Sequence, residues 1–199
     1  MPHREPMVVA DVGDQLLALP VLESVRRFSG CVIAVDTETV QINGMAAVRD
    51  VVRHPGAVAV VAVRHIGDVP QILLVRQYRH PMAKECIELP AGLRDVREES
   101  TLACARRELL EETGYEAGTW QKMFDGATTP GGSDETIELW WAENLTWRGH
   151  PGSGEAEELS MSAMWVPLSS ALGAVHEGRI ANLTAQVGIF AAARKMGIT

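Results

Sequence analysis

Cysteine is scarce in this chain, and the few cysteines are widely spaced. Cys31, Cys86 and Cys104 are the three cysteines among 199 residues, and no two of them form a Cys-x-x-Cys pair. An odd number at such distances argues against a disulfide framework and against a zinc site built on cysteines. We therefore expect a protein of a reducing compartment, the cytoplasm.

Basic residues and long apolar runs are also in short supply. The chain has 18 Lys+Arg against 26 Asp+Glu, a net charge of −8, which argues against nucleic acid or an anionic membrane as a general partner. A local basic pocket for a small phosphate-bearing ligand is compatible with that balance. The longest apolar run, residues 56–63, is too short to cross a bilayer, and residues 1–10 lack the apolar core of a signal peptide.

Strand patterns are clearest in the first third of the chain. Residues 31–42 alternate imperfectly between apolar and polar, and Asn43-Gly44 predicts a hairpin turn into a second strand at 45–52. The run AVAVVAVR at 57–64 predicts a strand buried on both faces. Residues 14–28 carry apolar side chains at mixed spacing, which we interpret as irregular or partly helical.

Strands and helices follow one another without βαβ regularity over the rest of the chain. Further strands are predicted at 71–78, 120–124, 137–144 and 161–167, and helices at 100–113, 169–176 and 182–196. This mixture indicates an α+β fold or a mixed-sheet sandwich. We place a small N-terminal β region at 1–54 and the main domain at 55–199.

The helix predicted at 100–113 carries the clearest chemical pattern. Glu108 and Glu112 lie one turn apart with Glu111 beside them, so three carboxylates repel one another on one arc of the helix. A hard divalent cation such as Mg²⁺, which takes oxygen ligands, would offset that repulsion. Arg107 stands four residues before Glu111 and can orient it. The alternative is a solvated charged face with routine ion pairs.

The residues around this helix resemble a known family signature. Residues 107–115, RELLEETGY, resemble the Nudix hydrolase pattern R-E-U-x-E-E-x-G-U, in which U is a bulky apolar residue. Gly92 stands upstream, as in the family, and lets the chain turn sharply. One extra residue separates Gly92 from Arg107, so Glu98 and Glu99 are alternatives for the upstream signature glutamate. Glu99 is preferred because it keeps the register of the helix.

Other segments resemble one branch of that family, the ADP-ribose pyrophosphatases. They are VRQYR at 75–79, ELPAG at 88–92, PGGSDE at 130–135, and the glutamates at 157–158. The resemblance covers roughly residues 49–196, and related branches cleave nucleoside diphosphate sugars. It implies a Nudix-type α/β/α sandwich with a mixed sheet.

The resemblance also implies roles for particular residues. Glu108, Glu112 and the Ala91 carbonyl match the family's metal ligands, for Mg²⁺ or Mn²⁺, with Glu111 as a further ligand or a partner of one. Arg107 matches the residue that orients these carboxylates. The metal would polarise the diphosphate and activate water.

A late glutamate of the branch helps to activate the water, which points to Glu158 first and Glu157 second. A solvated acidic loop is the alternative for both.

Substrate-binding residues follow from the branch motifs. Arg79, which follows a strand, matches a residue for phosphate or ribose, and a surface arginine is its alternative. Ser133 and Asp134 belong to the PGGSDE motif and are further candidates for binding the substrate. Arg49 lies on the N-terminal hairpin, which in the branch reaches across a two-fold dimer. We therefore expect a homodimer in which Arg49 serves the partner's site.

The leading function is hydrolysis of ADP-ribose to AMP and ribose 5-phosphate. A hydrolase of nucleoside diphosphate sugars with the same chemistry is the close alternative. A non-catalytic nucleotide-sensing module is a third reading, which the intact set of Glu108, Glu111 and Glu112 disfavours. No basic helix-turn-helix segment follows residue 196, which disfavours it as well.

Overall fold

The computed structural model describes residues 10–149 and 161–198. Ten strands and three helices follow one another along this part of the chain. The strands are β1 Val21–Ser29, β2 Ala34–Ile42, β3 Met45–Arg53, β4 Ala57–Ile66, β5 Val69–Arg79, β6 Lys84–Glu88, β7 Ala91–Leu93, β8 Tyr115–Ala127, β9 Thr136–Trp147 and β10 Ser162–Pro167. The helices are α1 Thr101–Thr113, α2 Leu168–His176 and α3 Leu183–Met196, and a short 3-10 helix spans His80–Met82.

The N-terminal strands form a separate antiparallel sheet in the order β1-β2-β3. The hairpin predicted at Asn43-Gly44 is confirmed. Both residues have a positive φ, 50° and 80°, as the two-residue turn that matches strand twist requires, and Ile42 pairs with Met45 across it.

The interpretation of residues 14–28 as irregular or partly helical is wrong for most of that segment. Residues 21–29 form β1 and pair with β2 over nearly their whole length. The mixed apolar spacing carries no strand period, and the stabilising ladder comes from a segment that lies later in the chain. Arg26 also donates to the carboxylate of Asp36 on β2, a contact between distant residues that local spacing does not reveal.

The main sheet has seven strands and mixes parallel with antiparallel pairing. Its order is β10-β5-β4-β9-β8, with β6 beside β5 and β7 beside β4. Strand β4 runs parallel to β9 and antiparallel to β5 and β7. Its residues 57–63 are all buried, which confirms the strand predicted to be covered on both faces.

Helices cover both faces of this sheet. On one face Val60 and Ala62 of β4 pack with Leu109 of α1, and on the other Val61 packs with Ile189 of α3. The result is the α/β/α sandwich with a mixed sheet that the family resemblance implies. Over residues 10–149 and 161–198, no helix is long and apolar enough to cross a membrane.

The small sheet is fastened to the main domain through the loop at 130–135. The Val52 N–H donates to the Gly132 carbonyl at 2.8 Å, and the Asp134 N–H donates to the Val52 carbonyl at 3.1 Å. Arg53 donates from Nε to Asp36 of the small sheet at 3.0 Å, and from Nη1 to Asp134 of the loop at 3.1 Å. Residues 21–53 thus form a distinct layer, while the division of the chain after residue 54 stays a prediction.

Candidate active site

Helix α1 is fixed at both ends by local sequence. The Ser100 hydroxyl accepts a hydrogen bond from the Ala103 N–H at 3.2 Å, which satisfies a donor that the first turn leaves without a partner. At the other end Gly114 adopts φ 72° and donates to the Leu110 carbonyl, the left-handed cap that glycine takes at little cost. These caps set the register that turns Glu108 and Glu112 inward, where both are buried.

Arg107 gathers three glutamates around one guanidinium. Its Nε and Nη2 donate to the two carboxylate oxygens of Glu99 at 3.1 and 3.0 Å, and its Nη1 donates to Glu108 at 2.7 Å and Glu111 at 3.1 Å. The hydrogen bond with Glu99 is the largest cause of the raised pKa of Arg107, and the same bond lowers the pKa of Glu99. Arg107 therefore stays charged and holds these carboxylates in place.

The same contacts distinguish Glu98 from Glu99. Glu98 has a side chain that is 85% exposed and lies 3.7 Å from the exposed Arg97. Its φ of 65° lies in the left-handed region, in the loop before the helix. Glu99 therefore occupies the position that faces Arg107, as the helix register favoured.

Gly92 lies within β7 and has no positive φ, so the structure does not use it for the sharp turn that the sequence suggested; it makes room for the Glu108 carboxylate. A Cβ at position 92 would lie 1.9 Å from Glu108 Cδ, far inside ordinary van der Waals contact. Burial raises the pKa of Glu108, and the guanidinium of Arg107 opposes that rise. Beside it, Glu112 Oε2 accepts the Ala91 N–H at 2.9 Å, so both buried glutamates of α1 contact the backbone of β7.

These donors suit a hard divalent cation in chemical type. Carboxylate oxygens and a backbone carbonyl are the ligands that Mg²⁺ takes, usually together with water. Among the described residues, no three acidic, histidine or cysteine side chains already stand in an arrangement that could hold a metal ion. Arg107 Nη1 contacts one carboxylate oxygen each of Glu108 and Glu111, so coordination could use the other oxygen of each carboxylate.

A pocket of about 430 Å³ adjoins these residues. It shares Ala91 and Gly92 with the carboxylate cluster, so the two features meet at β7. Its walls come from β4, β5, β6, β7, β9 and the start of α3. The lining residues are His54, Ala57, Arg79, Glu88, Leu89, Ala91, Gly92, Leu93, Thr128, Glu135, Ile137, Asn182 and Thr184.

Comparison with known proteins decides the family. A family model described as the NUDIX domain matches residues 53–186, more than half of the chain. The chain belongs to the Nudix family. The residues that resembled the signature are those that α1 and β7 bring together, and the protein is a Nudix hydrolase.

This Nudix hydrolase is similar in sequence to several named proteins. It is 40% identical over 164 residues to an ADP-ribose pyrophosphatase of Mycobacterium tuberculosis, covering 82% of this chain and 77% of the relative. It is 38% identical over 154 residues to a methanol dehydrogenase activator of Bacillus methanolicus, covering 77% and 80%. It is 34% identical over 115 residues to a GDP-mannose pyrophosphatase of Citrobacter koseri, covering 55% and 59%.

Not every predicted substrate residue of the Nudix hydrolase lines the pocket. Arg79 does, whereas Arg49, Ser133 and Asp134 are not among the lining residues. Asp134 accepts from the His54 N–H at 2.9 Å and from Arg53, and Ser133 donates to the Val52 carbonyl at 3.3 Å. Both residues thus hold the loop at 130–135 against the small sheet. Arg49 lies exposed on β3 and donates to the Val48 carbonyl at 2.8 Å.

Sequence reasoning gave no role to several residues that do line the pocket. His54 follows β3 and accepts the Gly56 N–H at Nδ1, Thr128 donates to Glu135, and Asn182 caps α3. Glu135 belongs to the PGGSDE segment at 130–135, whose resemblance to the family was the one indication in the sequence that this loop lies at the site. Glu157 and Glu158, predicted to activate water, lie outside the described residues.

Proposed function

We propose that this Nudix hydrolase splits the pyrophosphate bond of ADP-ribose and releases AMP and ribose 5-phosphate. The observation that carries the proposal is the junction at Ala91 and Gly92, where a cluster of glutamates meets a pocket with an arginine in its wall. A diphosphate placed there would lie between the carboxylates that suit a cation and the guanidinium of Arg79. The name of the Mycobacterium tuberculosis relative supports ADP-ribose as the substrate.

The metal would be Mg²⁺ or Mn²⁺, held by Glu108, Glu112 and the Ala91 carbonyl, with Glu111 as a further ligand or a partner of one. Such a cation, when bound, draws charge from the diphosphate and assists attack by water. Glu108 is already confined by Gly92, and Glu112 is already fixed to the Ala91 N–H. These two side chains therefore need little reorganisation of the backbone to serve as ligands.

Arg107 would keep the carboxylates aligned without contacting substrate. Its bonds to Glu108 and Glu111 offset the mutual repulsion of the glutamates on α1. The guanidinium thus supports the cluster whether or not a cation is bound.

The water-activating base is proposed at Glu158, with Glu157 second, on the sequence resemblance alone. Glu158→Gln should lower kcat with little change in KM, since a base acts mainly in the transition state. Full kcat in both Glu158→Gln and Glu157→Gln would place the base elsewhere.

Substrate binding is proposed for Arg79 in the pocket wall, with Ser133 and Asp134 setting the position of the adjoining loop. Arg49 would act from a second subunit, because it stands on the small sheet and does not line the pocket of its own chain. That sheet exposes large apolar side chains, including Val21, Phe28 and Met45. A homodimer would cover part of this surface, and two-fold dimers are the commonest oligomers.

A hydrolase of nucleoside diphosphate sugars is the alternative within the same chemistry. The GDP-mannose pyrophosphatase relative favours it, and the pocket wall of Thr128, Asn182 and Thr184 can form hydrogen bonds with either kind of sugar. We expect the enzyme in the cytoplasm, because its three cysteines are free and Cys31 is exposed.

The test is a comparison of kcat/KM across ADP-ribose, GDP-mannose and other nucleoside diphosphate compounds with Mg²⁺ or Mn²⁺. ADP-ribose should have the highest value by at least about tenfold, or 1.4 kcal/mol of transition-state binding. A higher value for a nucleoside diphosphate sugar would transfer the proposal to the alternative substrate. No hydrolysis of any of them would refute both.

A further inference from the structure

A half-buried ion pair lies in the wall of the pocket. Arg79 is the last residue of β5 and Glu88 is the last residue of β6. The Arg79 guanidinium donates two hydrogen bonds to the Glu88 carboxylate. Arg79 Nε lies 3.0 Å from Glu88 Oε1, and Arg79 Nη2 lies 2.7 Å from Glu88 Oε2. Glu88 pairs with Val75 across the sheet, four residues before Arg79, and this even spacing puts both side chains on one face. The paired-strand geometry therefore builds the contact.

The two partners differ in their access to solvent. The Glu88 side chain is 6% exposed and the Arg79 side chain 40% exposed, so the carboxylate lies beneath the guanidinium. Both residues line the pocket. Burial of an unpaired carboxylate is costly, and a bare negative charge beside a site for a diphosphate would also repel the ligand. The fork to Arg79 removes both penalties.

We propose that Glu88 is a positioning residue that fixes the Arg79 guanidinium for the substrate diphosphate. Arginine has a long side chain with many rotamers, and a partly exposed one spends much of its time away from any single geometry. The two-point contact holds the planar group in one orientation. This inference rests on the proposed function, because it takes the diphosphate of the substrate as the ligand of Arg79.

The charge on Glu88 is the feature to remove. Glu88→Gln keeps the size of the side chain but replaces one acceptor oxygen by an NH₂ group, which cannot pair with the guanidinium. KM for ADP-ribose should rise at least about tenfold, since binding loses a well-oriented charge-assisted hydrogen bond. The value of kcat should change less than about threefold, because Arg79 contacts substrate in ground and transition states alike.

A binding measurement separates this effect from turnover. Calorimetry of ADP-ribose with the full-length protein in EDTA should show a rise in Kd of similar size for Glu88→Gln. Glu85→Gln on the same strand is the matched control, since Glu85 is exposed, and it should leave KM, Kd and Tm unchanged. An unchanged Kd and KM in Glu88→Gln would overturn the proposal.

A double-mutant cycle excludes a merely structural role. If Glu88 acts through Arg79, Glu88→Gln should add nothing to the rise in KM that Arg79→Ala produces alone. Additive effects on KM, or an Arg79→Ala protein that binds ADP-ribose as tightly as wild type, would contradict the proposal. In both single variants, Tm is measured to show that the fold persists.

A second variant covers the case in which Glu88→Gln fails to fold. Arg79→Lys keeps the positive charge but loses the planar pair of donors, so KM should rise while kcat is retained. Wild-type KM in that variant would overturn the role of the fork. A wild-type protein that neither binds nor hydrolyses ADP-ribose would instead refute the proposed function, on which this inference rests.

Discussion

Gly92→Ala adds one methyl group at the most crowded point of the site. The backbone permits the change, since Gly92 is not among the glycines with positive φ. The obstacle is the side chain of Glu108, whose Cδ, Oε1 and Oε2 would lie 1.9, 2.1 and 2.4 Å from the new Cβ. Carbon atoms in contact are normally about 3.5–4.0 Å apart, so the carboxylate must move by roughly 1.5 Å or more.

The displacement should affect stability modestly and catalysis strongly. Moving Glu108 breaks its 2.7 Å bond to Arg107, a charge-assisted contact of about 1.5–3 kcal/mol. Loss of glycine from the unfolded chain returns about 0.4–1 kcal/mol, so the net cost is about 0.5–2.6 kcal/mol and Tm falls by a few degrees. Metal-ligand distances tolerate only about 0.2 Å, so the displaced Glu108 could not act as the metal ligand proposed above, and kcat should fall at least about a hundredfold.

The assay is steady-state hydrolysis of ADP-ribose at saturating Mg²⁺, with Tm measured on the same samples. Gly126→Ala is the matched control, because Gly126 lies in strand β8, has no positive φ, and has open space where its Cβ would be. It should keep wild-type kcat and Tm. A Gly92→Ala protein with kcat within threefold of wild type would refute the role assigned to Glu108.

Other predictions concern the ligand set, the dimer and the thiols. Glu112→Gln should lower kcat by orders of magnitude with the fold intact. Glu98→Gln changes an exposed side chain and should leave kcat unchanged. Near-normal turnover in Glu112→Gln would mean that Glu112 is not part of the site. Arg49→Ala and Glu112→Gln subunits, each nearly inactive alone, should recover about a quarter of wild-type activity after random mixing into dimers with shared sites. No recovery after verified subunit exchange, or a monomer by light scattering, would contradict that arrangement. Iodoacetamide at pH 8 should label Cys31 first, because Cys31 is exposed. Cys104 should react slowly, because burial raises the pKa of its thiol to about 12. Rapid labelling of Cys104, detected by peptide mass mapping, would contradict this prediction.

Local patterns predicted the elements that local forces determine. The hairpin at Asn43-Gly44 needs only two residues that tolerate positive φ, and α1 needs a Ser100 cap and a Gly114 stop. Strand β4 needs only a continuous run of valine and alanine that can be buried on both faces of the sheet. Each of these features lies within one short continuous segment, so the sequence alone contains the deciding information.

Features that depend on pairing between distant segments were harder to predict. Strand β1 is stabilised by its pairing with β2. In β8 only residues 120–124 show the sequence pattern of a strand, but the strand extends over residues 115–127 because β9 pairs with it along that length. Tertiary pairing overrides weak local preference in both cases.

The site divides in the same way. The carboxylates of α1 follow from helical spacing, and the preference for Glu99 over Glu98 followed from the register of the helix. The contact of Glu88 with Arg79, and the presence of His54 in the pocket wall, depend on how strands assemble. The spacing of residues along the sequence does not indicate which strands lie side by side.

The most direct test of the central claim is hydrolysis of ADP-ribose in ¹⁸O-labelled water, with Mg²⁺ in one sample and EDTA in the other. Mass spectrometry of the Mg²⁺ sample should show AMP and ribose 5-phosphate in equal amounts. One ¹⁸O atom should appear in the phosphate of one of the two products, since attack of water at phosphorus breaks the bridging P–O bond. The EDTA sample should show intact ADP-ribose. Products that form equally fast in EDTA, or that carry no ¹⁸O in either phosphate, would contradict the account.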